Sequence, residues 1–246
     1  MPFAKSGEAS LYYKDVGEGT PIITTHGAME NTLYWSLPGV TDRLVQAGYR
    51  VISTDMRGHG LTQADDGYNV VTVANDFAVV ADHLGLDRAY VMGFSMGARI
   101  CAFLTIRHPD RVRSAIFGGL GANMVRPMAG TGPIAAALEA DSIDDVTNAT
   151  ARTFRAFAEA TKSDLKALAC CIRASREPIK PDDLKQIICP VLVAVGSDDV
   201  IGGPASDLAK LIPQGEALEI VGRDHMKSVG DPTYKAGVID FLGRRS

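Results

Sequence analysis

The sequence predicts an α/β fold: a mainly parallel sheet with helices on both faces, interrupted late in the chain by a small helical insertion. Three observations predict it. Short apolar runs alternate with segments whose apolar residues recur at helical spacing, the pattern of strands buried on both faces and linked by crossover helices. From about residue 122 to 188 the alternation stops and only helical patterns remain, punctuated by Pro127, Pro133, Pro178 and Pro181. Five residues able to bind or react (His26, Asp55, Ser95, Asp199 and His225) each fall just after a strand-like run, where sheets of this kind place their ligand chemistry.

The elements follow in order. Residues 11–16 alternate and end in the turn cluster Gly17-Glu18-Gly19-Thr20-Pro21, and residues 22–25 follow as a strand, so the opening reads as a hairpin. His26-Gly27-Ala28-Met29 leaves that strand. A helical segment over 34–46 ends at Gly48, and 50–54 is a buried-strand run that empties into Asp55-Met56-Arg57-Gly58-His59-Gly60. Residues 71–84 carry Val73, Phe77, Val80, Ala81 and Leu84 at helical spacing. A strand ends at Met92, a helix runs from 98 to 108, and 112–117 is another strand. The insertion holds helical stretches over 134–140, 146–160 and 165–175. Strands over 190–195 and 217–221, a helix ending at 212 and a closing helix over 232–242 complete the chain. The expected division is a core over 1–121 and 189–246, with 122–188 inserted.

Bulk properties narrow the function. A chain of 246 residues suits one large core with an insertion better than two domains. With 46% hydrophobic and 22% charged residues, neither a disordered nor a membrane class is indicated. A net charge of −4 without blocks of like charge argues against a nucleic-acid surface. The first residues contain no apolar signal-peptide core and no run is long enough to span a bilayer, so a cytoplasmic location is expected. Cys101, Cys170, Cys171 and Cys189 show neither metal spacing nor a CxxC pair, which reads as reduced thiols. No metal and no cofactor is expected.

The centre of the chain is Gly93-Phe94-Ser95-Met96-Gly97, between a strand and a helix. A sharp turn there lifts the serine hydroxyl out of the sheet, and its flanking glycines let neighbouring backbone pass close by. The following helix points its N-terminus at the site and favours developing negative charge. A serine needs a base, and histidine serves best near neutral pH. Of His26, His59, His83, His108 and His225, the last lies in a loop between the final strand and the closing helix and is the natural candidate. An acid must then fix the imidazole tautomer. Gly196-Ser197-Asp198-Asp199 offers two carboxylates after a strand, with Asp199 preferred and Asp198 the alternative. The order Ser95, Asp199, His225 is that of a nucleophile-elbow hydrolase. An oxyanion needs two donors: the Met96 amide, just after the nucleophile, and the Ala28 amide in the loop after an earlier strand, with Met29 as alternative. Met29, Trp35, Met124, Met128 and Met226 stand near strand-end loops or in the insertion and are candidate walls of an adaptable apolar pocket, each equally able to be core packing.

Taken together, His26-Gly27, Asp55-Met56-Arg57-Gly58-His59-Gly60, Gly93-Phe94-Ser95-Met96-Gly97, Gly196-Ser197-Asp198-Asp199 and Asp224-His225 resemble the α/β-hydrolase superfamily over nearly the whole chain. The Asp-x-Arg-Gly-His-Gly piece is similar to its esterase, lactonase, C–C hydrolase and cofactor-free haloperoxidase branch. The resemblance implies an α/β-hydrolase fold and a lid made by the insertion. It implies bracing roles for Asp55 and Arg57, and the acid at the last position of Gly-x-x-Asp, which supports Asp199. Dehalogenases and epoxide hydrolases of this fold carry an aspartate at the elbow, so Ser95 argues against both. The expected function is hydrolysis of small to medium carboxylic esters or lactones through an acyl-enzyme, with a small-molecule partner and no nucleic acid or membrane. The alternatives are C–C bond hydrolysis of a vinylogous diketone and a non-hydrolytic binder. Substrate identity, pathway and oligomeric state are not legible in these residues.

Overall fold

The structure is a computed structural model that describes residues 2–62, 67–126, 131–161, 163–174 and 179–245. Eight strands form one sheet: β1 (Phe3–Ser6), β2 (Ala9–Val16), β3 (Thr20–Thr25), β4 (Tyr49–Thr54), β5 (Ala89–Phe94), β6 (Val112–Gly118), β7 (Val191–Gly196) and β8 (Gly215–Ile220). Their order is β1-β2-β4-β3-β5-β6-β7-β8. The pairs β1–β2 and β2–β4 are antiparallel, and every pair from β4 to β8 is parallel.

Alternate residues of the inner strands face opposite core layers, as the period of two requires. On one face Ile23, Ile52, Val91, Phe117 and Val193 pack under α3 (Val70–His83), α4 (Met96–Arg107) and α9 (Ala205–Ala209). On the other, Ile22, Val51, Tyr90, Ile116 and Leu192 meet Trp35 of α1 (Leu33–Ser36), α2 (Val40–Gln46) and α10 (Pro232–Gly243). Both faces are therefore dry, which is why these strands read as unbroken apolar runs.

Between β6 and β7 the described residues contain helices and no strand: α5 (Thr131–Glu139), α6 (Ala149–Ala160), α7 (Leu165–Ala174) and α8 (Pro181–Leu184). Helix α6 starts at Asn148, whose side chain accepts the Ala151 N–H. Ile134, Leu138, Ala158, Leu168 and Ile172 form a third apolar cluster that also takes in Met29. Ile179, Leu184 and Ile187 join the main core beside Ile100 and Leu104.

Two local expectations are corrected. Strands β2 and β3 do not form a hairpin: β4 lies between them, and β2 instead pairs with β1 around Gly7. The Gly17–Gly19 link has to cross the start of β4, where a Cβ on Gly17 would stand 2.8 Å from the Tyr49 carbonyl oxygen. The helix expected over 34–46 is two helices, because Pro38 and Gly39, the latter at φ 75°, break it between α1 and α2.

Candidate active site

Ser95 occupies the turn between β5 and α4 at φ 54°, ψ −115°, a backbone region that side-chain-bearing residues avoid. Close packing holds it there. A Cβ on Gly93 would overlap the Gly97 carbonyl, and one on Gly97 would lie 2.5 Å from the carbonyl oxygens of both Thr25 and His26. The Ser95 N–H donates to the Gly118 carbonyl at 2.8 Å, tying the turn to β6. These contacts explain why the motif needs glycine on both sides of its centre.

His225 and Asp199 meet from two loops 26 residues apart in sequence. His225 Nδ1 lies 2.8 Å from Asp199 Oδ2, and the Asp199 side chain is completely buried. Its other oxygen accepts the N–H groups of Ile201 at 2.9 Å and Gly202 at 2.7 Å. A carboxyl oxygen held by two amides keeps its partner oxygen aimed at the imidazole, which fixes Nδ1–H as the donor and leaves Nε2 to accept. Asp198 turns outward and takes a hydrogen bond from the Ser197 hydroxyl. The imidazole stands on the Phe94 ring, centroids 5.0 Å apart, next to Ser95 in the chain. Among the described residues the Ser95 hydroxyl itself makes no hydrogen bond, to His225 or to any other group. Catalytic hydrogen bonds are often long or misaligned without substrate.

The two amides singled out as donors are Ala28 and Met96. Neither N–H has a hydrogen-bond partner among the described residues. For Met96 this follows from its place as first residue of α4, where helix geometry supplies no acceptor. For Ala28 it follows from the loop: His26 Nδ1 donates to the Gly27 carbonyl at 2.8 Å while His26 Nε2 accepts the Met56 N–H at 3.2 Å. His26 is thus a fully buried neutral ring, pushed down to about 4 by burial, that fastens the loop.

The Asp55–Gly60 loop is braced as the resemblance implies. Asp55 accepts the N–H groups of Thr32 at 2.6 Å and Leu61 at 2.8 Å, and Arg57 makes a two-pronged contact with Asp76 at 2.7 and 2.9 Å. His59 lies 5.1 Å from the His26 ring and is lowered to about 3, by burial and then by its neighbour His26.

The candidate pocket residues separate. Met29 is buried among the insertion helices at φ 65°, and Met124 is buried in the main core. Trp35 lies inside the opposite core layer, under α2 and α10, as fully buried as Met29 and Met124. Met226 is 66% exposed, and Met128 lies outside the described residues. Met96 borders a small gap with Met56, Val70, Val73, Ile100 and Cys171. A larger open cleft, lined by Asp82, Gly85, Arg88, Asp110 and Arg111, sits at the amino ends of β5 and β6, away from Ser95. Cleft size therefore does not point to the site; the convergence of strand-end residues does. No group of three His, Cys, Asp or Glu among the described residues is placed to hold a metal.

Sequence reasoning missed Glu30. Its carboxyl accepts the Gly27 N–H at 2.7 Å, and burial raises it to about 8. An acidic residue four positions after the loop histidine was the only signal, and an acid in a loop ordinarily reads as solvated.

Comparison with known proteins agrees with the geometry. The family model for the alpha/beta hydrolase fold matches residues 20–132. A non-heme haloperoxidase of Rhodococcus erythropolis is 38% identical over 122 residues, 48% of this chain, and the chain spans 44% of that relative. A Mycobacterium tuberculosis protein provisionally named a non-heme bromoperoxidase is 27% identical over 239 residues, 88% of this chain and 91% of that one. Among solved structures, a bromoperoxidase from Bacillus anthracis superposes with a TM-score of 0.83 at 23% identity, over 98% of this chain and 99% of the other. The enol-lactonase from Burkholderia xenovorans LB400 superposes at 0.82 and 22%, over 98% and 100%. Strand order, the strained serine turn and these likenesses lead to one classification: this chain has the α/β-hydrolase fold.

Proposed function

We propose that the protein is a serine hydrolase that cleaves small to medium carboxylic esters or lactones through an acyl-enzyme. The observation that carries the reading is the buried Asp199–His225 hydrogen bond, beside a serine held at φ 54° with two unpartnered amides near it. In this mechanism Ser95 Oγ attacks the carbonyl carbon while His225 Nε2 takes its proton. The amides of Ala28 and Met96 receive the oxyanion, and the α4 N-terminus adds to that stabilisation. His225 then protonates the departing alkoxide, and water, activated by the same imidazole, releases the acid. Asp199 keeps the imidazolium oriented throughout.

The insertion over 122–188 is read as a lid on the core formed by 1–121 and 189–246. Its apolar cluster reaches the site loop through Met29, so Met29 is the pocket candidate best supported, with Met124 behind it. Relatives named as an esterase from Exiguobacterium antarcticum and as an enol-lactonase favour ester and lactone substrates. All four cysteines are unpaired, which supports a reducing, cytoplasmic setting.

The test is turnover of p-nitrophenyl acetate by the wild type and by Ser95→Ala. The expected loss is at least ~1,000-fold in kcat/KM, and a fluorophosphonate probe should label Ser95 alone. Equal turnover by both proteins would rule out the nucleophile.

A further inference from the structure

Glu30 stands beside Ser95 and has no task in the acyl transfer proposed above. Its Oε2 accepts the Gly27 N–H at 2.7 Å. A Cβ on Gly27 would sit 2.8 Å from that oxygen and 3.5 Å from Ser95 Cβ, so carboxyl and nucleophile flank the same glycine. The Glu30–Gly27 contact also closes the turn that holds Ala28 and carries Met29 at φ 65°.

The groups around this carboxyl are unsuited to a negative charge. The Tyr34 hydroxyl is buried without a hydrogen-bond partner, and its proton is held more tightly by burial and by the charges of Glu30, Tyr234 and Asp199, in that order. Tyr234 comes from α10 and Asp199 from the loop after β7. Tyr34 and His225 both lie against the Phe94 ring, with centroids at 5.3 and 5.0 Å. His26, immediately before the turn that Glu30 closes, is a neutral ring. Among the described residues no cation pairs with Glu30. An ionised Glu30, half-buried beside Ser95, would add negative charge next to the forming oxyanion, and like charges repel.

We propose that Glu30 is a positioning residue that works as a neutral acid: it fixes the turn carrying the Ala28 amide and keeps charge away from the oxyanion, so ionising it shuts the hydrolase down. The proposal rests on the serine-hydrolase reading. Burial raises the carboxyl to about 8, so it is protonated at pH 7.

The experiment compares kcat for p-nitrophenyl acetate between pH 6 and 10 in the wild type and in Glu30→Gln, after subtracting buffer hydrolysis. Glutamine can still accept from Gly27 but cannot ionise. The wild type should lose activity with a midpoint near pH 8, falling to about a tenth of its pH 7 kcat by pH 9. Glu30→Gln should be at most ~10-fold slower at pH 7 and lack that alkaline fall. The same fall in both proteins overturns the proposal, as does a uniform loss at every pH. A second readout is independent of turnover: in a Ser95→Ala background, Glu30→Gln should gain on Glu30 in melting temperature as pH rises from 6 to 9. A gap that does not change with pH overturns the neutral acid whatever the kinetics. A widening gap without Ser95-dependent turnover sinks the hydrolase reading instead. Should Glu30→Gln not fold, carboxyl 13C titration of the wild type decides, and no glutamate titrating near pH 8 overturns the proposal.

Discussion

Acid should loosen this fold through His59, and His59→Asn isolates the effect. His59 is 1% exposed, its Nδ1 meets the Arg57 carbonyl at 3.0 Å, and burial holds it at about 3 against an ordinary 6.5. A base whose folded value is depressed contributes stability that is fully present above 6.5 and is lost as pH falls through that value toward 3. Over that window the unfolded chain binds a proton at His59 and the folded chain does not. The slope approaches about 1.4 kcal/mol per pH unit below 6.5, so between pH 6.5 and 4.5 the wild type should lose about 2.3 kcal/mol more than a variant with no imidazole at 59. Asparagine keeps a donor near the Nδ1 position, although it forfeits ring packing and so starts less stable. His26, with its own depressed value, and Glu30, whose raised value works in the opposite sense, act alike in both proteins. The assay is urea unfolding at half-unit steps from pH 7 to 4.5. Parallel curves for the two proteins would refute the claim that His59 is kept neutral by burial.

Two more substitutions test the scaffold. Asp199→Asn keeps an acceptor for the Ile201 and Gly202 amides but no longer enforces the His225 tautomer; kcat should fall by ~1,000- to 10,000-fold with little change in melting temperature, and a loss under tenfold in an ester assay would remove Asp199 from the mechanism. Arg57→Ala leaves Asp76 buried at 6% exposure without its two-pronged partner and should cost about 3–5 kcal/mol in chemical unfolding, whereas removing the exposed Lys185 beside Asp182 should leave the unfolding midpoint nearly unchanged.

The sheet's parallel half was legible because burial on both faces writes itself as apolar runs, as in residues 191–195. The serine turn was legible because steric crowding admits only glycine at 93 and 97. Asp199 and His225 were legible as residues following strands, a rule that needs no knowledge of how far apart the strands lie. The pairing of β2 with β1 and β4 was not, since a strand's partner depends on the whole sheet and Phe3–Ser6 is too short and polar to stand out. Pro38-Gly39 did announce a break, but the apolar spacing on either side masked it. Trp35 lay beyond reach for another reason: nearness in sequence to a functional loop does not say which face of the sheet a side chain enters. The acidity of Glu30 is likewise a property of what surrounds it.

The placement of backbone strain links these observations. Among the described residues, only Ser95 and Met29 combine a side chain with positive φ, and they leave β5 and β3, which are neighbours in the sheet. Each such residue costs about 1–3 kcal/mol and persists only where its surroundings dictate it. Ser95 is held by the core, through the Gly118 carbonyl and the crowding at Gly93 and Gly97. Met29 is held by the insertion: its side chain lies among Ile134, Leu138 and Ile172, and its carbonyl accepts the Thr161 hydroxyl at 3.4 Å. The core therefore sets the Ser95 turn, while the helices between β6 and β7 help set the turn that carries the neighbouring Ala28 amide. Any movement of these helices away from the core would relax Met29 first and displace that amide with it.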